Sequence, residues 1–299
     1  MRSVLLVNPV AGGGSAAKVA GAVVGHLQAV SDVGVVTTAD PAATANAAVE
    51  AVAGGADVLA VLGGDGAAHA AVQACAGTST ALAVIPTGTG NDLARALGMP
   101  LDPVVAARAV AQAMQQGTQD RIDLGRIAGG GWFATVLCAG FDASVNARVN
   151  RMRWPRGKRR YDLAVLRELL SLHVMPLRIE TDGEMIDMEA ALVAVGNTTS
   201  YGGGIPICPD ADPRDGAFDL TVVGEVSRGE LLRVLPTLRT GHHVDHPAVQ
   251  TLRAHSVRLG GDNGWLAHAD GEPQARLPLT VRCEPEALRV VTPRLPRGV

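Results

Sequence analysis

Over roughly the first 120 residues, short apolar runs alternate with helix-period stretches, and nearly every run ends at a glycine. That order leaves few folds open, because a strand, a crossover helix and a second strand in repetition build a parallel sheet. Residues 4–7 read as the first strand and residues 8–14 as a loop. Val19, Val23, Leu27 and Val30 then recur along one face of a helix. Residues 33–38 read as a second strand. Asp40-Pro41 is an N-cap followed by proline at the first helical position, opening a helix to about Val52. The runs 58–62 and 81–85 give two more buried strands, each delivering its carboxyl end into a glycine-rich turn, where open α/β sheets bind ligands. Asp102-Pro103 starts a further helix, which fades at Gln115-Gln116-Gly117.

The pattern changes after Arg121. Hairpin-type turns such as Asp182-Gly183 and Asp262-Asn263-Gly264 now separate the runs, pointing to a mainly antiparallel β domain with helices at about 157–173 and 227–240. The expected organisation is an α/β domain over residues 1–122, a β-rich domain over 123–280 and a segment, 281–299, that packs back on the first domain.

A net charge of −3 gives no general pull toward nucleic acid, so no nucleic-acid partner is expected. Cys75, Cys138, Cys208 and Cys283 lie more than sixty positions apart without a C-x-x-C pair, which suits a reduced, cytoplasmic setting. The run Leu5-Leu6-Val7 is too short for a signal-peptide core, and no stretch reaches the length of a membrane span. If the protein acts on a lipid, it must visit the membrane from solution, transiently at its inner face.

Three glycine-rich turns each precede a predicted helix: residues 8–14 with Asn8, Pro9, Gly12 and Gly13; Gly63-Gly64-Asp65-Gly66; and residues 86–92 with Thr89, Asn91 and Asp92. Main-chain N–H groups at a helix start, uncovered by side chains, bind anions, and a nucleotide is the economical occupant of three such turns. None matches a P-loop or a protein-kinase signature. A carboxylate inside the second turn is the unusual part. Asp65 beside polyphosphate would be repelled unless it bonds main-chain N–H groups, a substrate hydroxyl, or Mg²⁺ with its water.

These turns, with Asp123-Leu124-Gly125, Tyr201-Gly202-Gly203-Gly204, Pro209-Asp210-Ala211, Asp215-Gly216 and Asp270-Gly271-Glu272, occur in an order and spacing that resembles the bacterial diacylglycerol kinase and lipid kinase family. That family is related to sphingosine kinases and has an NAD-kinase-like N-terminal fold. The resemblance covers nearly the whole chain. It implies an ATP-dependent transfer of the γ-phosphate to a lipid alcohol, diacylglycerol giving phosphatidic acid, in an interdomain cleft. It places the nucleotide against Asn8, Pro9, Gly12, Gly13, a threonine at Thr37 or Thr38, residues 63–69 and Thr89. It makes Glu272 the general base, with Asp270 beside it, and draws Asp65, Asp92 and Asp123 into a water and Mg²⁺ network. It also implies a structural Mg²⁺ held by Asp215 and the carbonyls of Asp212 and Ala217. One departure stands out: the family usually continues Gly-Gly-Asp-Gly with Thr and then Asn-Glu, whereas this chain has Ala67, His69 and Ala70. An NAD-kinase-like enzyme, or a lipid-binding relative with weakened turnover, are the alternatives.

Seven Lys and Arg residues fall within positions 148–160, from Arg148 to Arg160, interleaved with Val149, Met152 and Trp154. Such a segment suits peripheral contact with an anionic bilayer, or else a solvated helical face. His242, His243 and His246 lack a catalytic-zinc pattern and read as a loop or helix end. The sequence is silent on oligomeric state, and a homodimer stays open.

Overall fold

β3 (Val58–Gly63) and β4 (Ala81–Pro86) are buried at every position, as strands covered by helices on both faces must be. They belong to a computed structural model that describes residues 1–140, 174–261 and 264–293. The chain divides into two units, Met1–Leu124 with Glu284–Val299, and Gly125–Cys283. The basic cluster at 148–160 and the helix expected over 157–173 lie outside the described residues, as does most of the turn at 262–264.

In the first unit β1 (Arg2–Val7) pairs in parallel with β3 and with the edge strand β2 (Asp32–Thr37), and β3 pairs in parallel with β4. The crossovers are α1 (Ala11–Gln28), α2 (Pro41–Ala53) and α3 (Asp65–Cys75). Asp40 caps α2 by accepting the Ala43 N–H at 2.8 Å, and Asp102 caps α5 (Pro103–Gln116) by accepting from Val104 and Val105. α4 is the short helix Asp92–Ala96. The C-terminal stretch closes on the same sheet, with Val290 beside Leu82 and the Val291 N–H donating to the Leu82 carbonyl at 2.8 Å.

In the second unit β9 (Met185–Gly196) is the hub, bonded antiparallel to β7 (Val136–Gly140), β8 (Met175–Glu180) and β10 (Phe218–Gly224). Alternation along β9 sends Val193 and Val195 into one apolar cluster and Leu192 and Ala194 into another. Both faces are therefore covered, which explains its unbroken apolar run. The first cluster includes Phe133 and Phe218, whose rings stack 5.5 Å apart. β8 and β9 form the hairpin expected at Asp182-Gly183, closed by a Thr181 N–H to Glu184 carbonyl bond. The remaining strands are β11 (Val249–Ala254), β12 (Ser256–Gly260), β13 (Leu266–Ala269) and β14 (Glu272–Arg276). β5 (Asp120–Ile127) and β15 (Leu279–Val290) carry the chain across the boundary between the units, and β6 (Trp132–Phe133) pairs with β5.

The helix expected over 227–240 is shorter than its sequence suggests. Arg228–Val234 is α-helical, then Leu235–Arg239 tightens to a 3₁₀ turn. Pro236 has no N–H to continue the α ladder.

His243 and His268 are buried, and burial pushes both imidazoles below the usual histidine value of 6.5. The unfolded chain therefore binds more protons than the folded one just below that value, so stability rises with pH there. This contribution is complete above about pH 6.5 and is lost as pH falls toward the folded-state values. The expected slope is at most about 1.4 kcal/mol per pH unit for each ring. Tm measured from pH 8 to pH 5 should fall on the acid side, and His268→Gln should flatten the fall. An unchanged profile would remove His268 as a source.

Candidate functional site

The three glycine turns of the first unit meet through their main chains. In the first, the Asn8 N–H donates to the Leu62 carbonyl at 3.0 Å and the Asn8 Oδ1 accepts the Val10 N–H at 3.2 Å. Gly12, Gly13 and Gly14 follow at φ of 60°, 67° and 90°, conformations that suit glycine alone, so regular helical turns of α1 begin only after them. A Cβ on Gly12 would lie 2.1 Å from the Thr87 carbonyl oxygen, whereas Gly13 and Gly14 face open space. The second and third turns are back to back: a Cβ on Gly88 would lie 2.7 Å from the Gly64 Cα, and the Thr87 N–H donates to the Gly63 carbonyl at 2.9 Å.

Asp65 is the lock between them. It opens α3, where its Oδ2 accepts the Asn91 N–H at 2.8 Å and its Oδ1 accepts the Asp92 N–H at 2.7 Å. Of the partners open to this carboxylate, main-chain N–H groups are the ones it has. Asn91 is left-handed at φ 56° and closes its own loop, accepting the Gly88 N–H at 2.8 Å and donating to the Gly88 carbonyl at 2.9 Å. Thr89 is left exposed at the apex of that loop, with Asp92 half-buried at its end. Arg95 Nε donates to the Gly90 carbonyl at 3.0 Å.

The other predicted nucleotide contacts are less concentrated. Thr38 donates its N–H to the Val7 carbonyl, and its hydroxyl lies 2.7 Å from that of Thr44. Ala67 is buried against Gly63, and Gly66 is exposed. His69 is half-buried, with Nε2 3.3 Å from Gln73 Nε2. Asp123 is buried, and its Oδ1 accepts the Glu286 N–H at 2.8 Å, fixing a left-handed residue of the C-terminal strand.

In the second unit Asp270, left-handed at φ 52°, accepts N–H groups from Ala134 at 3.0 Å and Thr135 at 2.8 Å and the Thr135 hydroxyl at 2.6 Å. It thereby ties the β13–β14 hairpin to the entry of β7. Glu272 begins β14 with its side chain exposed. The sequence flagged both acids, but the partners Ala134 and Thr135 lie too far away in the chain to have been visible.

Asp215 sits in the turn before β10. Its Oδ1 accepts the Ala217 N–H at 3.1 Å, its Oδ2 is 2.5 Å from Arg253 Nη2, and its N–H points at the Asp212 carbonyl at 3.4 Å. Asp212 Oδ1 accepts the Arg214 N–H. Among the described residues no three His, Cys, Asp or Glu side chains form a metal cage. A carboxylate with nearby turn carbonyls is the donor type that a hard cation taking most of its oxygens from carbonyls and water would use. Asp219, which reasoning from sequence passed over, has a buried Oδ2 without a hydrogen-bond partner, and burial, with the neighbouring Asp215 and Asp210, pushes its carboxyl up while Arg253 pulls it down. Phe218-Asp219-Leu220 was the available signal, an acid set between two core residues of a strand.

An open groove of about 690 Å³ elsewhere in this unit is lined by Arg178, Asp187, Met188 and neighbours, and holds none of the predicted site residues.

A parallel α/β unit with three interlocked glycine turns, and an antiparallel unit bearing exposed and buried acids, define a nucleotide-handling kinase of two parts. The comparisons with known proteins agree. Residues 2–127 match the diacylglycerol kinase catalytic domain, and residues 135–292 match the YegS C-terminal NAD kinase beta sandwich-like domain. The chain is 42% identical over 295 residues to a diacylglycerol kinase of Mycobacterium tuberculosis strain H37Rv, covering 97% of this chain and 94% of that one. It is 29% identical over 236 residues to a diacylglycerol kinase of Bacillus subtilis strain 168, covering 78% of this chain and 77% of that one. Its fold is shared with a crystal structure of a diacylglycerol kinase from Bacillus anthracis str. Sterne, at a TM-score of 0.75 and 21% identity over 97% of this chain and 96% of that one. The chain belongs to the diacylglycerol kinase family.

Proposed function

We propose that the protein is an ATP-dependent lipid kinase that transfers the γ-phosphate to the hydroxyl of a lipid alcohol, diacylglycerol giving phosphatidic acid. The observation that carries this reading is the 42% identity to the Mycobacterium tuberculosis diacylglycerol kinase over 97% of the chain. The interlocked turns support it, since they leave Gly13 and Gly14 open for phosphate to approach the main chain. In this reading ATP lies along Asn8, Pro9, Gly12, Gly13, Thr38, Gly63, Gly64, Asp65, Gly66, Ala67, His69, Thr89, Asn91 and Asp92. Glu272 takes the proton of the lipid hydroxyl. Both Asp65 oxygens already accept main-chain N–H groups, which suits an organiser of the turn better than a base, whereas the Glu272 side chain is exposed. Bound Mg²⁺ supplies charge neutralisation at the phosphates and, at Asp212, Asp215 and Ala217, a tie within the turn. Asp123 and Asp270 act as positioning residues through the N–H groups they hold.

Among the described residues no helix is long and apolar enough to cross a membrane. The reading brings the protein to a lipid surface from solution, with the basic residues from Arg148 to Arg160 as its peripheral contact. The test is transfer of labelled phosphate from ATP to diacylglycerol, sphingoid bases, phosphatidylglycerol and NAD in parallel. Diacylglycerol should be labelled fastest. Labelling of NAD alone, or of nothing while ATP still binds, would overturn the assignment.

A further inference from the structure

Arg253 and Asp219 face each other directly across β10 and β11, yet the guanidinium is bonded elsewhere. Arg253 Nη2 lies 2.5 Å from Asp215 Oδ2, while Asp219 Oδ2 is buried with no hydrogen-bond partner. Directly opposed residues of an antiparallel pair hold their Cβ atoms about 5 Å apart, so Arg253 can reach either carboxylate. Asp219 is half-buried, but its Oδ2 is buried without a donor, which is costly and calls for an explanation, one of which is a partner that arrives in another state. The surroundings are strongly acidic: Asp210 and Asp215 both act on Asp219, and Asp212 lies in the same turn as Asp215. Arg214 Nη1 is 4.0 Å from Asp212 Oδ1, and Arg253 is bonded to Asp215.

Building on the Mg²⁺ reading of this turn, we propose that Arg253 is an exchangeable counter-ion: it holds Asp215 when no divalent cation is bound and passes to Asp219 when one is. A dication arriving at Asp215 repels the guanidinium and takes its place on that carboxylate. The displaced Arg253 then satisfies the unpartnered Asp219 oxygen across the strand pair. Without the dication Asp215 holds the guanidinium and Asp219 Oδ2 lacks a donor; with it, each of the two carboxylates has a cation. Cation affinity is thus set by a competition between Mg²⁺ and Arg253 for Asp215, with Asp219 as the outlet that eases the exchange.

The experiment is a titration of the full chain with MgCl₂ in the absence of nucleotide, read as the rise in Tm and as binding heat. Arg253→Met removes the competitor and should tighten Mg²⁺ binding about tenfold. Asp219→Asn removes the outlet and should weaken it about fivefold to tenfold. Asp215→Asn should abolish the response. If wild type responds, and loses the response with Asp215→Asn, but Arg253→Met and Asp219→Asn keep its affinity, the exchange is wrong while the Mg²⁺ reading survives. A wild type that shows no Mg²⁺ response, or one that Asp215→Asn leaves intact, overturns both. Should Asp219→Asn fail to fold, Arg253→Met alone decides, because a merely structural ion pair predicts lower Tm with no gain in Mg²⁺ affinity.

Discussion

Glu272→Gln is expected to lower kcat by about 10²-fold to 10⁴-fold while leaving ATP affinity within about twofold of wild type, the size and signature of a lost general base. The substitution keeps shape and hydrogen-bonding capacity but removes the ability to take a proton. Glu272 is exposed at the first position of β14, paired with Ala269 across the hairpin, so an amide there disturbs no packing. Asp270, two residues earlier, is a different case. Its carboxylate accepts two N–H groups and a hydroxyl, and Asp270→Asn should lower Tm as well as activity. The pair of variants separates proton transfer from the scaffold that carries it. Near-normal kcat in Glu272→Gln, measured with lipid and ATP both saturating, would take the base role away from this residue.

Some of this was readable from residue types alone. The wholly apolar runs of β3 and β4, each ending in a glycine-rich turn, read as covered strands, and Asp40-Pro41 and Asp102-Pro103 as helix starts. Apolar patterning failed where polar atoms extend an element. β1 begins at Arg2, two residues before the apolar run, because its main chain already pairs there with Asp32, and the Met1 and Arg2 carbonyls accept the Asp32 and Asp57 N–H groups at 3.1 and 2.9 Å. The glycine turns were visible as turns, but not as a single object. What joins them is long in sequence and short in space: Gly12 against Thr87, Gly64 against Gly88, Asp65 to Asn91 and Asp92. No local periodicity encodes such contacts. The same holds for Arg253 and Asp219, which become neighbours only through the register of β10 and β11.

Asp65→Asn should be the most damaging exchange in the first unit, and its signature should differ from that of Glu272→Gln. A carboxylate can accept from both the Asn91 and the Asp92 N–H; an amide has one acceptor oxygen, and its NH₂ would face the second donor. Hydrogen bonds to a charged acceptor contribute about 1.5–3 kcal/mol each, and an orphaned buried donor costs about 1–3 kcal/mol. A combined loss of about 3 kcal/mol, falling on the turn proposed to hold the phosphates, corresponds to a Kd for ATP about 100-fold weaker. Binding heat with ATP on Asp65→Asn and Glu272→Gln side by side tests this, since only the former should lose affinity. Retention of ATP affinity within about threefold in Asp65→Asn would mean that the third turn holds its shape without the clamp. Gly90→Ala attacks the same contact from the other side, because the new Cβ would lie 2.5 Å from Asp65 Oδ2 and push the carboxylate off its donors. If the clamp is one unit, Gly90→Ala combined with Asp65→Asn should weaken binding by clearly less than the sum of the two single losses.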